Sequence, residues 1–280
     1  MMRLLLILLL FSSQSFALVL PVVVEEKVLK DYLAFVNDRD PLTIDDFTGP
    51  KARRSTVEIV LLQQAFMLGG VPVILEFHTA PVAERIRRMS MLPDYAMAAN
   101  TIWDSAVGGD GDRLWVSDAV IRQGEFEAGL YTVSTHEDLL NEQQPINIDQ
   151  LSAVSSSQWV SDWNTLKALP LSNLLNVADW GNMVDMVGRH RVDFLLAPFQ
   201  VSDDLSFTTR GFQFYPIPKV KIGLTGSRHF ILSRQFPESE KLAQALNQGI
   251  AILRQKGTIE RALIECGFIN TKVSSWSKIN

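Results

Sequence analysis

The chain has 280 residues, 47% of them apolar, with 26 basic against 31 acidic side chains and a net charge of −5. That length buries a core in one or two domains. With 20% charged residues and no long block of one sign, the composition excludes a disordered chain and a nucleic-acid binder, since both depend on a charge excess.

Met1-Met2-Arg3 is followed by an apolar run from Leu4 to Phe11, then polar Ser12-Ser13-Gln14 and Ser15-Phe16-Ala17. This is the basic, apolar and small-residue order of an export signal over residues 1–17, expected to be cut after Ala17. The run falls well short of the roughly 20 apolar residues that cross a bilayer. An uncut anchor extending through residues 18–24 is the alternative, and the polar interruption at 12–15 opposes it. Cys266 is the only cysteine, so no internal disulfide is available and no cysteine near the cut can carry a lipid. The expected product is soluble in the periplasm. Cys266 shares an apolar helical face with Ile259, Ala262 and Leu263 and reads as a buried small hydrophobe.

Residues 18–24 and 32–36 are both β-like, and either serves as a first strand. From Ser55, the residues Val57, Val60, Leu61, Gln64 and Leu68 recur at helical spacing, and Gly69-Gly70 ends that helix. A strand over 71–77, a helix over 82–89 and an apolar run over 95–103 follow, with Pro93-Asp94 as a turn. Residues 103–113, with Gly108, Gly109 and Gly111, read as an irregular loop. Short strands over 114–116 and 129–134 lead to Glu142-Gln143-Gln144-Pro145, polar residues that suit a crossing between domains.

A second unit then alternates: strand 151–154, helix 159–169 stopped by Pro170, strand 174–177, helix 180–187 ended by Gly188, and buried strand 192–197 closed by Pro198. So compact an alternation calls for parallel strands with right-handed crossovers. Extended segments over 212–218, 220–225 and 229–233 come next. An amphipathic helix over 238–255 presents Leu242, Ala245, Leu246, Gly249, Ile250 and Leu253, and a short helix over 259–265 stops at Gly267.

From about Val57 to Phe268 this order of elements resembles the extracytoplasmic solute-binding proteins of family 3, the two-lobed type II periplasmic binding proteins. The stretches that carry the resemblance are Arg113-Leu114-Trp115-Val116-Ser117, Ser152-Ala153-Val154-Ser155-Ser156-Ser157 with the Trp159 helix, residues 183–193 from Met183 through Gly188 to Asp193, and residues 242–268 with Asn247-Gln248-Gly249-Ile250 and Gly257-Thr258-Ile259. The resemblance implies an α/β fold of two lobes, each a mostly parallel sheet flanked by helices, with a ligand cleft between them. Lobe 1 would take residues 18–136 and 217–280, and lobe 2 residues 137–216, with crossings near 134–140 and 216–219. Such interfaces and strand ends are where open α/β sheets leave room for ligands.

On that resemblance Arg113 stands where an arginine clamps a ligand carboxylate, a contact suited to a planar guanidinium, with a surface arginine as the plain alternative. Ser156 and Ser157 precede a helix whose free amides favour an anion, or simply cap it. Trp103 and Trp159 lie near strand ends as flat surfaces able to sandwich an organic ligand, whereas Trp163 and Trp180 read as packing residues. Asp193 reads as structural. Amino-acid binders of the family carry an acid at the end of the strand opened by Asp193; here that strand ends in Ala197-Pro198, which speaks against an amino-acid ligand unless Asp203 or Asp204 substitutes. A ligand loop after the first strand is not recognisable either.

The four histidines are scattered without zinc spacing, and Asp104, Asp110 and Asp112 lack the ligand pattern of a calcium loop. Neither a hydrolase elbow nor a phosphate loop occurs. Arg53-Arg54 and Arg85, Arg87 and Arg88 read as solvated helix faces. The sequence therefore reads as a non-enzyme without cofactor or metal: a monomeric periplasmic protein that captures a small polar, anionic molecule for an inner-membrane permease of the ABC type. The alternative is a sensory or interaction module of the same fold acting on a membrane receptor.

Overall fold

A computed structural model describes residues 17–143 and 146–280. The expected export signal, apart from Ala17, lies outside the described residues, as do Gln144 and Pro145 of the polar crossing.

The first strand is β1 (Leu18–Glu25), and α1 (Glu26–Val36) follows it directly. Residues 32–36 are thus helical: Val28, Tyr32, Phe35 and Val36 are buried together at helical spacing, which the short window 32–36 could not display. Then come α2 (Arg54–Leu68), β2 (Val73–Ala80), α3 (Ala83–Met89), β3 (Met97–Ala98), β4 (Ile102–Trp103), α4 (Asp104–Val107) and β5 (Leu114–Val116). The run expected over 95–103 divides into β3 and β4, which join different sheets. The expected loop over 103–113 holds α4 and a tight helical turn, Gly108–Asp112.

The chain continues through β6 (Glu127–Val133), α5 (Glu137–Leu140), β7 (Ser152–Ser155), α6 (Val160–Lys167), β8 (Asn173–Asn176), α7 (Trp180–Gly188) and β9 (Phe194–Pro198). It closes with β10 (Phe207–Thr209), β11 (Phe212–Pro216), β12 (Val220–Gly223), β13 (Arg228–His229), β14 (Ile231–Ser233), α8 (Ser239–Gln255), α9 (Thr258–Glu265) and β15 (Ser277–Lys278).

Among the described residues the first sheet has the order β2-β1-β3-β14-β5, parallel from β2 to β3 and antiparallel through β14. The second has the order β10-β11-β6-β9-β7-β8. Its β9, β7 and β8 are parallel and the strands beyond them antiparallel. Each lobe thus has a parallel α/β centre, extended by antiparallel strands where the chain crosses or returns. The crossing strands β6 and β12 pair with each other, Ile222 opposite Ala128 and Gly223 opposite Glu127, and both belong to the second sheet.

The first lobe is held by α2 against α8. Gly69, just past α2, faces Ala245, and Gly249 of α8 faces Ala65, each so closely that a Cβ would lie 1.9 and 1.8 Å from the opposing carbonyl oxygen. Past α9 the tail crosses to the second lobe: Asn270 donates to the Gln200 carbonyl (2.8 Å), Val273 packs with Phe199 and Leu205, and β15 pairs in parallel with β12.

Candidate functional site

The site is built on β4, which pairs antiparallel with β13 so that Trp103 lies opposite Arg228. The Arg228 guanidinium donates to Thr101 Oγ1 (3.0 Å) and to the Thr101 carbonyl (2.5 Å), and lies 5.0 Å from the Trp103 ring centroid. Burial, and next the Arg54 charge, lower its pKa to about 9, which leaves it cationic at neutral pH. Thr101 donates from its hydroxyl (2.5 Å) and backbone N–H (3.2 Å) to Glu58, a fully buried carboxylate of α2 that also receives Arg54 Nη1 at 2.8 and 2.9 Å. Arg54 is therefore not part of a solvated helix face. One carboxylate couples α2 to the segment that carries Trp103 and, through Thr101, to Arg228. Arg87 corrects the same expectation, being paired with Glu84 and Asp110.

Trp103 leans toward Phe126 (6.5 Å between centroids), Phe126 stacks on Phe268 (4.4 Å), and Arg54 lies over Phe268 (5.7 Å). This column of rings and guanidinium groups reaches two pockets between the lobes, through Arg54 and Phe268 to one and through Trp103 to the other. One, of about 450 Å³, is lined by Arg53, Arg54 and Ser55 on one side and by Pro198, Phe199 and Gln200 on the other. The other, of about 320 Å³, has Trp103, Ser105 and Ala106 as its first-lobe wall and Gln158, Trp159, Val160, Ser161 and Asp162 as its second-lobe wall.

Of the residues singled out from sequence, the structure brings Trp103 and Trp159 to opposite walls of one pocket, Trp159 leaning on Trp180 (6.1 Å between centroids). The two serines do not line it. Ser156 is buried, its Oγ accepting the Gln158 N–H (3.2 Å), while the exposed Ser157 donates its backbone N–H to Asn176 (2.9 Å). Neither caps α6, whose N-cap is Trp159. Arg113 is exposed at the end of the Gly108–Asp112 turn, outside both pockets. Asp193 accepts the Ser152 N–H and hydroxyl, both at 2.7 Å, and so ties β9 to β7. Burial would raise its pKa, but these bonds and His136 hold it below the usual value.

Sequence reasoning missed Asp162 and Ser161. Asp162 is in the first turn of α6, where an acid ordinarily answers the helix dipole and draws no notice. Here it lines the pocket, and burial pushes its pKa up to about 6, with only its own backbone N–H opposing. Ser161 is 4% exposed, and its Oγ has no hydrogen-bond partner among the described residues. Cys266 is partly buried, with its thiol pushed up to about 11 by burial. Among the described residues no group of three or more His, Cys, Asp and Glu could hold a metal ion, and no helix is long and apolar enough to cross a membrane.

No protein-family pattern matches the chain, and no curated protein does. Solved structures do. The probable amino-acid ABC transporter extracellular-binding protein YtmK of Bacillus subtilis aligns with a TM-score of 0.56 at 11% identity, over 89% of this chain and 97% of that one. Substrate-binding domain 2 of GlnP from Lactococcus lactis, in an open conformation, gives 0.53 at 12% identity, over 88% and 94%. The periplasmic VFT2 domain of BvgS from Bordetella pertussis gives 0.52 at 12%, over 90% and 93%. Near-complete coverage in both directions extends the likeness to both lobes and the crossings between them. The chain has the two-lobed fold of the type II periplasmic binding proteins, the architecture of solute-binding family 3.

Proposed function

We propose that this chain is a periplasmic solute-binding protein that holds a small polar molecule in the pocket between Trp103 and Trp159 and presents it to an ABC-type membrane permease. The observation that carries this reading is a pocket of ligand size whose walls come from both lobes, because only such a pocket makes occupancy and lobe position depend on each other. The hinge of this reading lies at the two crossings, where β6 and β12 pair with each other. Export fits the same picture: β1 begins at Leu18, so a cut after Ala17 leaves the first sheet whole. The protein works as a monomer and without enzymatic chemistry. An anionic ligand was expected from Arg113, whose place outside the pocket removes that ground.

The test is a thermal-shift and tryptophan-fluorescence screen of residues 18–280 against amines, carboxylates, amino acids and polyols. A ligand at 100 times its dissociation constant adds about 2.7 kcal/mol, roughly 5–10 °C for a chain of this size. Trp159→Ala should abolish the shift. A panel flat in every class refutes solute capture.

A second reading is favoured by one observation. The Arg228, Trp103, Phe126, Phe268 and Arg54 column joins the first-lobe walls of the two interlobe pockets, Trp103 in one and Arg54 and Phe268 in the other, and so gives the protein a surface of its own side chains facing the second lobe. In that reading the lobes act as a sensory or interaction module toward a membrane receptor. Binding to a membrane partner that the ligand-free protein already saturates would favour it over delivery to a permease.

A further inference from the structure

Asp162 is the only charged side chain among the residues that line the pocket between Trp103 and Trp159, so an anion bound there would meet a carboxylate and no cation. Apart from its own backbone N–H, no donor among the described residues reaches its oxygens. One residue earlier, the Ser161 Oγ is buried without a partner, although its carbonyl accepts from the Thr165 hydroxyl at 2.7 Å. A buried hydroxyl and a part-buried carboxylate without partners on consecutive residues are costly in an otherwise satisfied fold. The rest of the lining adds two indole rings, and Trp103 already carries one cation, Arg228, near its ring.

We infer that this pocket takes a small organic ammonium ion bearing N–H groups, which donates to the Asp162 carboxylate and the Ser161 hydroxyl while its carbon chain lies between Trp103 and Trp159. The inference rests on the solute-binding reading above and names the ligand class for that site. A charge-assisted hydrogen bond satisfies the carboxylate, a second donor satisfies Ser161, and the ring faces favour the positive charge. Burial raises the Asp162 pKa, and a cation held against the carboxylate would lower it again. A free helix-dipole acid at the surface would be shifted the other way.

The experiment titrates the protein, at constant ionic strength, with size-matched probes: butylammonium, butane-1,4-diammonium, tetramethylammonium, butyrate and butanol. Tryptophan fluorescence reads binding, and the wider amine and carboxylate panel runs beside it. Binding should be confined to the N–H ammonium compounds and weakened about tenfold or more by Asp162→Asn and less by Ser161→Ala. Asp162→Asn removes a part-buried charge and should fold at least as stably, so lost binding would not be lost structure. Selective binding of carboxylates or neutral solutes, ammonium binding untouched by Asp162→Asn, or tetramethylammonium binding as tightly as butylammonium would each overturn the inference while leaving solute capture standing. Failure of every class to bind would overturn both.

Discussion

Gly249→Ala sets helix propensity against packing with opposite signs. Gly249 is inside α8, where replacing glycine by alanine ordinarily stabilises by about 1 kcal/mol. Its Cβ, however, would lie 1.8 Å from the Ala65 carbonyl oxygen and 2.6 Å from the Ala65 Cα. Both partners are backbone atoms of a helix, so no side-chain rotation relieves the overlap. Ordinary contact requires α2 and α8 to separate by about 1.5 Å, which loosens dispersion contacts along the whole facing surface. The reciprocal approach of Gly69 to Ala245 makes that separation hard to confine to one end. Overpacking of this kind costs about 3 kcal/mol, so the net loss should be about 2 kcal/mol and the melting temperature should fall by roughly 4–8 °C. Urea denaturation of the wild type, Gly249→Ala and Ala251→Gly measures it, the last reporting propensity alone at an exposed position of the same helix. A Gly249→Ala protein as stable as the wild type would refute the close approach.

Glu58→Ala should cost about 3–5 kcal/mol, because it leaves Arg54, and through Thr101 also Arg228, without the carboxylate they share. Calorimetry reads this, and a loss under about 1 kcal/mol would show that water or another acid replaces Glu58. The Asp162 charge should make stability depend on pH. In the ligand-free protein its folded pKa is raised from 3.8 to about 6, so the unfolded chain releases this proton first as pH rises. The favourable contribution is therefore complete below about pH 4 and lost as pH climbs through 6, the full penalty at pH 7 reaching about 3 kcal/mol. Asp104 on the neighbouring α4 and Arg228 against Trp103 are present in wild type and variant alike, so the comparison isolates Asp162. Asp162→Asn should thus match the wild type at pH 4 and exceed it at pH 7; a gap independent of pH would refute the assignment.

The parts of this fold that could be read from sequence are those whose burial pattern is local. The α2 face, the closing α8 and α9 helices and the alternation from β7 to β9 each carry their periodicity within one segment. Where a segment's role depends on a distant partner, the reading failed. Residues 95–103 look like one apolar run, but β3 pairs with β1 and β14 while β4 pairs with β13, and nothing in the run itself announces two partners. The pocket follows the same rule. Trp103 and Trp159 stand out by size alone, whereas Asp162 resembles any first-turn helix acid until the fold buries it in the pocket wall. Arg113 shows the converse, since a charged residue in a glycine-rich turn draws notice from sequence although it lines neither interlobe pocket.

How the lobes move bears on either functional reading, and the tail belongs to the moving second lobe. β6 and β12 are not a free two-stranded ribbon, since β6 also pairs with β11 and β9 inside the second sheet. Here β15 adds a third strand along β12, and the tail is bound on both sides of the crossing. Lys278 pairs with Glu127 (3.0 Å) at the start of β6 and donates to the Gly124 carbonyl (3.1 Å) just before it, while Asn280 exchanges two hydrogen bonds with Gly223, the last residue of β12. The buried Lys221 holds Glu127 at 2.8 Å and donates to the Val273 carbonyl at 2.9 Å, which fastens strand, crossing partner and tail in one cluster. The tail therefore moves with the second lobe, to which Asn270 and Lys272 also bind it at residues 200–203. A displacement of the lobes by a ligand would then be handed on through the second lobe and the tail together, as one body that a permease or a receptor could read.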